Sequence, residues 1–193
     1  DDAMCGIAGE LNWIARANRD AVDAMVSGIG HRGPDDRGLW SSPKGVCVLG
    51  HTRLSIIDLS PAGHQPMLDV STGNAIVFNG EIYNFQELRK DCEAQGDVFK
   101  SHSDTEVILA LYRRHGIDCL KLLRGMFALA IWDEQGQRLF LARDRVGKKP
   151  LNYAVTKSGL AFCSELHPLS RHPGVDNEMD LEALELYLQC QFI

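Results

Sequence analysis

No stretch of the 193-residue chain approaches the roughly 20 consecutive apolar residues that a membrane-crossing helix requires. There is no secretory signal and no run of lysines or arginines. With 20 basic against 26 acidic residues the net charge is −6, which offers nucleic acid no basic surface. The six cysteines, at positions 5, 47, 92, 119, 163 and 190, lie far apart and form no Cys-x-x-Cys pair. That spacing argues against a zinc knuckle, so no metal site is predicted. In a chain this long it also argues against a disulfide framework. A reducing cytoplasm is the setting these absences predict. No internal repeat or low-complexity tract interrupts the chain.

What remains is ordinary for one globular domain with a sizeable core: 45% hydrophobic and 24% charged residues. Cys5 to Asn12 reads as a first strand. Val22, Met25, Val26 and Ile29 share one face of a helix over about Asp20 to Ile29. His31 to Gly38 is turn-rich, a connector whose His31 and Arg32 are candidates for a nearby pocket. Strand signals fill Gly45 to Leu59. Ala75 to Phe78 is a short apolar strand ending in Asn79-Gly80, a strong turn signal. Asn84-x-x-Glu87 and Ser103-Asp104-Thr105-Glu106 read as capping boxes opening two helices. A short helix is expected near Asp118 to Leu123. Met126 to Trp132 is apolar on both faces, and a hairpin turn links it to Leu139–Ala142. Such a strand must be covered on both sides, which predicts two stacked sheets with outer helices. Arg143 to Pro150 is a charged turn. Short strands are expected at Asn152–Val155 and Leu160–Cys163, and Asp180 caps a last helix bearing Leu181, Leu184 and Leu188.

The chemistry concentrates at Met4-Cys5-Gly6-Ile7-Ala8-Gly9. If processing stops after Met4, Cys5 carries a thiol and a free α-amine together. The amine, with a reference pKa of about 7.7–8, can take the thiol proton near neutral pH. Asp1-Asp2-Ala3 read as a tag remnant or leader. While they and Met4 stay attached, Cys5 has an amide nitrogen, so the chain as written is expected not to be the fully active species. Asn79-Gly80 admits a second reading besides a turn: a side-chain amide and a backbone N–H close together, the two donors a tetrahedral oxyanion requires. Arg53 can fork onto a carboxylate, and Glu81 and Asp104 can grip an ammonium. A carboxylate clamp and an ammonium clamp together describe recognition of a free α-amino acid.

The chain closely resembles the glutaminase domain of class II glutamine amidotransferases, specifically the glutamine-hydrolysing asparagine synthetase branch. The resemblance runs through Met4–Gly9, His31-Arg32-Gly33-Pro34-Asp35, Gly50-His51-Thr52-Arg53-Leu54-Ser55-Ile56-Ile57-Asp58 and Gln65-Pro66-Met67. It continues through Asn79-Gly80-Glu81-Ile82-Tyr83-Asn84, Ser103–Glu106, Arg124-Gly125-Met126-Phe127-Ala128 and Arg143-Asp144-Arg145, in order over nearly the whole chain. It implies an α+β fold, the four-layer α/β/β/α sandwich of two antiparallel sheets of the N-terminal nucleophile hydrolases. It implies Cys5 as nucleophile, its α-amine as base, and Asn79 with the Gly80 N–H as oxyanion hole. Arg53 and the backbone through Leu54, Ser55, Ile56 and Ile57 would hold the glutamine carboxylate, and Glu81 and Asp104 the ammonium.

The same resemblance implies residues 1–4 as leader, 5–179 as glutaminase domain, and 180–193 as the start of a linker or helix towards a synthetase domain. No Ser-Gly-Gly-x-Asp-Ser type loop occurs, so ATP and Mg are expected only in that absent domain, and this one needs no cofactor. The implied partners are L-glutamine and the synthetase domain, with a homodimer possible. Two departures stand out. Asn152 replaces the family's usual second tyrosine, and His167-Pro168 replace a usual Lys-Ala. Open alternatives are another class II amidotransferase, a non-catalytic glutamine-binding module and, more remotely, a Cys–His peptidase.

Overall fold

The computed structural model describes residues 4–55 and 60–191. Two antiparallel sheets form its centre. The first has five strands, in the order β2 (Asp36–Ser41), β3 (Cys47–Arg53), β1 (Gly6–Asn12), β9 (Gly159–Cys163) and β8 (Asn152–Val155). The second has four, in the order β4 (Met67–Leu68), β5 (Ala75–Ile82), β6 (Gly125–Asp133) and β7 (Arg138–Arg143). Helices α1 (Arg19–Gly28) and α4 (Leu166–Ser170) cover the first sheet, and α2 (Phe85–Ala94) and α3 (Asp104–His115) cover the second.

Side-chain alternation along the strands sorts the apolar residues into three cores. On β6, Phe127, Leu129 and Ile131 face α2 and α3, packing with Ile108 and Leu111. Their neighbours Ala128, Ala130 and Trp132 face the other sheet, against Ile7, Leu49 and Phe162. On β1, Ile7 enters that inter-sheet core while Ala8 packs under Val22, Met25 and Val26 of α1. The result is the four-layer α/β/β/α sandwich that the doubly apolar β6 required.

Local chemistry fixes the helix ends. Asn18 caps α1 by accepting from the Ala21 N–H. Ser103 caps α3 by accepting from the Thr105 N–H; Asp104 and Glu106 occupy its first turn and Arg113, Arg114 and His115 its last, complementing the dipole at both ends. Asp180 caps α5 (Leu181–Cys190) through two backbone N–H groups, as its sequence predicts, and α5 buries none of its residues.

Several expectations are corrected. Asn79-Gly80 is no turn: β5 runs straight through to Ile82, because β6 pairs with it along its whole length, Gly80 opposite Phe127. Asn84 makes no capping bond; its amide instead ties the 122–124 loop, donating to the Leu122 carbonyl and accepting from the Arg124 N–H. Glu106 does not complete a box with Ser103. Its carboxylate takes the Lys100 and Ser101 N–H groups. The loop expected over His31–Gly38 holds a 3₁₀ turn at Gly30–Arg32 and the start of β2. The helix expected near Asp118 is also a 3₁₀ turn, Gly116–Lys121. The strand over Gly45–Leu59 stops at Arg53; Leu54 and Ser55 lie beyond it, and 56–59 lie outside the described residues.

Candidate active site

The inter-sheet core has an open end, and there the inward positions of four strands turn from apolar to functional. Along β3, Cys47 and Leu49 are followed inward by His51 and then Arg53. Along β5, Ala75 and Val77 are followed by Asn79. Ile7 of β1 is preceded by Cys5, and Ala128 of β6 by Met126. Because β1 pairs with β3 through Gly6 and Thr52, Cys5 falls beside Arg53. Cys5, Arg53, Asn79 and Met126 therefore line one cavity of about 110 Å³, together with Leu54, Gly80, Glu81 and Asp104. Period-2 alternation alone brings the nucleophile candidate and its partners to one place.

Cys5 is held on three sides. Its thiol donates to the Leu54 carbonyl (3.6 Å) and accepts from the Leu54 N–H (3.4 Å). Its own carbonyl accepts from Arg32 Nε at 3.2 Å, and Arg32 Nη1 pairs with Glu165 (3.1 Å), which also meets His31 Nε2 (2.8 Å). His31 and Arg32 thus act behind Cys5 and do not line the cavity. Burial pushes the Cys5 thiol above its ordinary pKa; the Leu54 backbone and the Arg53 charge oppose that, and Asp104 adds to it.

Asn79 is buried, and among the described residues its Nδ2 has no hydrogen-bond partner. An unpartnered amide N–H₂ at a cavity wall costs stability unless something in the cavity receives it. Gly80 beside it packs so closely on β6 that a Cβ would stand 2.3 Å from the Met126 carbonyl oxygen. Asp104 opens α3, and its carboxylate accepts from the Ile82 N–H at 3.0 Å. Burial pushes its pKa up to about 6; the backbone N–H groups of Ile82 and Thr105 oppose the shift, and Glu81 adds to it. Glu81 stands exposed at the rim.

Beneath the cavity, burial lowers the His51 pKa to about 4, so the ring is neutral and Nε2 donates to the Phe78 carbonyl at 3.1 Å. Gln65 locks the neighbouring wall. Its Oε1 accepts from the Phe78 N–H (2.6 Å), and its Nε2 donates to Thr105 Oγ1 (3.3 Å).

Of the residues predicted for the site, Cys5, Arg53, Leu54, Asn79, Gly80, Glu81 and Asp104 line the cavity. Ser55 does not; its N–H donates to Asp35 (2.8 Å). Ile56 and Ile57 lie outside the described residues. Asn152 and His167 also stand away from the cavity, Asn152 donating to the Ser164 carbonyl at 3.1 Å. Sequence reasoning gave no site role to Gln65, Ser103, Thr105, Met126 or Lys149, which line it too. Alternation from Ala128 would have found Met126. Lys149 arrives on a loop whose aim no periodicity encodes.

A family model described as a glutamine amidotransferase domain matches residues 4–193. The chain belongs to the glutamine amidotransferase domain family. Asparagine synthetase [glutamine-hydrolyzing] 3 of Bacillus subtilis is 38% identical to this amidotransferase domain over 185 residues, 94% of this chain and 30% of that protein. Asparagine synthetase [glutamine-hydrolyzing] 1 of the same organism is 40% identical over 194 residues, again 30% of its length. The chain therefore spans about 30% of these curated relatives. Among solved structures, the glutamine phosphoribosylpyrophosphate amidotransferase of B. subtilis superimposes with a TM-score of 0.74 at 23% identity, covering 85% of this chain and 42% of that one. The likeness is one of fold, the sandwich of two antiparallel sheets described above. No helix among the described residues is long and apolar enough to cross a membrane.

Proposed function

We propose that this amidotransferase domain hydrolyses L-glutamine to glutamate and ammonia through a thioester on Cys5. The observation that carries the reading is the single cavity joining Cys5 to Arg53, Asn79, Gly80, Glu81 and Asp104, with the Asn79 amide unpartnered in its wall. The Cys5 thiolate attacks the side-chain amide carbon. Asn79 Nδ2 and the Gly80 N–H receive the negative oxygen. The tetrahedral intermediate expels ammonia, and water then cleaves the thioester. Arg53, with the backbone of Leu54 and the segment through Ser55, Ile56 and Ile57, takes the α-carboxylate. Glu81 and Asp104 take the ammonium.

The base is the Cys5 α-amine, free only when the chain starts at Cys5. Residues 1–4 are a leader on this reading, 5–179 the glutaminase domain, and 180–193 the connection to a synthetase domain. The kinship with asparagine synthetases supports ammonia delivery to such a domain, where ATP and Mg would be used; the glutaminase half needs no cofactor. A cytoplasmic setting fits the reduced cysteines.

Ammonia release from glutamine, measured for protein starting at Cys5 and at Asp1, tests the proposal. Turnover should be strong for the first, weak for the second and absent in Cys5→Ala. Equal turnover of the first two, or turnover surviving Cys5→Ala, would refute it.

A further inference from the structure

The glutamine reading leaves one charged group of the cavity without a task. Lys149 is 7% exposed and lines the cavity with Cys5 and Glu81. Among the described residues it forms no ion pair. Among those residues its ammonium meets only the Met4 thioether sulfur, 2.7 Å away. A buried cation without a carboxylate is costly, and a methionine would fill the space more cheaply, so folding does not explain it.

The loop is nevertheless built to deliver it. The Asp144 carboxylate accepts from the N–H groups of Val146, Lys148 and Lys149, at 3.2, 2.9 and 3.0 Å, and from the Phe127 N–H on β6, also at 3.2 Å. Arg143 Nε donates to the Lys149 carbonyl at 2.6 Å. Lys149 is thus gripped at both its N–H and its C=O by two residues at the end of β7, and its side chain enters the cavity that Cys5 lines. Its charge is coupled to Cys5 and Glu81, and burial, with Arg32 and Lys148 nearby, lowers its pKa.

We propose that the Lys149 ammonium, which shares the cavity with Cys5, is the counter-charge of the Cys5 thiolate. The proposal rests on the reading of Cys5 as nucleophile. The thiol proton leaves to the base and Lys149 keeps its own. Arg53 on β3 is then released to the substrate carboxylate, while Asp104, which opposes thiolate formation, is balanced by the substrate ammonium. An opposite charge within about 4–6 Å favours the ionised thiol by about one to three pKa units.

The pH dependence of Cys5 carboxamidomethylation by iodoacetamide tests this directly. The chain that retains Met4 is the one to use, because its Cys5 nitrogen is an amide and no α-amine contributes. Modification is read by mass spectrometry on the Cys5 peptide, which separates it from exposed Cys190. Lys149→Met should move the Cys5 profile at least one unit alkaline, making the reaction about tenfold slower at neutral pH. Lys149→Arg should keep the wild-type profile. Lys149→Gln serves as the neutral variant if Lys149→Met fails to fold. A neutral-variant shift under about half a unit would overturn the proposal. So would a Lys149→Arg profile nearer the neutral variant than the wild type. Ammonia release does not enter this readout, so a glutaminase failure with the shift intact counts against the glutaminase reading alone.

Discussion

The Ile82 N–H donates to the Asp104 carboxylate at 3.0 Å, joining the end of β5 to the first turn of α3. This bond holds Asp104 at the cavity wall, and burial there pushes its pKa up to about 6. For stability, a raised carboxyl pKa favours the fold at acid pH, and that contribution is gone once pH passes about 6. For an ammonium clamp the demand is opposite, since only the carboxylate attracts the ligand. The KM for glutamine should therefore fall as pH rises through about 6. Asp104→Asn should raise KM and flatten this dependence. A wild-type KM constant between pH 5 and 7.5 would count against the clamp.

Asn79 and Arg53 should separate in kinetics. Removing one oxyanion donor typically lowers turnover by about 10²–10³ with little effect on ground-state binding. Asn79→Ala should show that pattern, and it also removes a buried unpartnered amide, so the fold should not suffer. Arg53→Ala should act mainly on KM. Steady-state ammonia release across glutamine concentrations decides; an Asn79→Ala defect confined to KM would exclude the oxyanion role.

Much of this architecture was readable in advance because it follows from periodicity. The doubly apolar β6 demanded cover on both faces, and strand alternation carries Cys5, Arg53 and Asn79 to the same open edge. What was misread depends on pairing across the sheet. Asn79-Gly80 has turn chemistry, yet eight consecutive partners on β6 keep it in a strand. Asn84 has capping chemistry, yet the 122–124 backbone captures its amide first. Lys149 was invisible for a related reason: its position is set by the Asp144 and Arg143 side chains, and local sequence does not say which way such a loop turns.

Gly80 is required by space. A Cβ there would meet the Met126 carbonyl oxygen at 2.3 Å and the Phe127 Cα at 2.8 Å, both on the backbone of the central strand. Neither can withdraw without distorting β6. Gly80→Ala should cost about 1–3 kcal/mol, as overpacking does elsewhere, and should impair turnover by displacing the Asn79-Gly80 donors. Gly30 is the control: a Cβ there meets nothing within 4 Å, so Gly30→Ala should be neutral or mildly stabilising. Urea unfolding followed through the buried Trp132 compares the two. Equal stability of both variants would show that β6 yields at this point.

A last consequence concerns acid stability away from the cavity. Glu10 of β1 and His172 are both buried, with Glu10 Oε2 3.2 Å from His172 Nε2 and 2.7 Å from the Asn18 N–H. His172 Nδ1 accepts from the Gly174 N–H at 3.1 Å, so the ring proton sits on Nε2 and points at Glu10. Burial alone would raise the Glu10 pKa; the bonds from His172 and Asn18 outweigh it and hold the carboxyl below its ordinary value. A depressed carboxyl pKa stabilises the fold above the ordinary carboxylate range, and that contribution is lost as pH falls through and below it. Glu10→Gln should therefore destabilise the protein at neutral pH and lessen the steepness of its stability loss in acid. His172→Gln should lose stability at neutral pH as well, through the same Glu10 carboxylate left short of a donor. Urea midpoints measured from pH 3 to 8 for wild type and both variants test the linkage. Parallel curves for Glu10→Gln and wild type would mean that Glu10 titrates alike in the folded and unfolded chain.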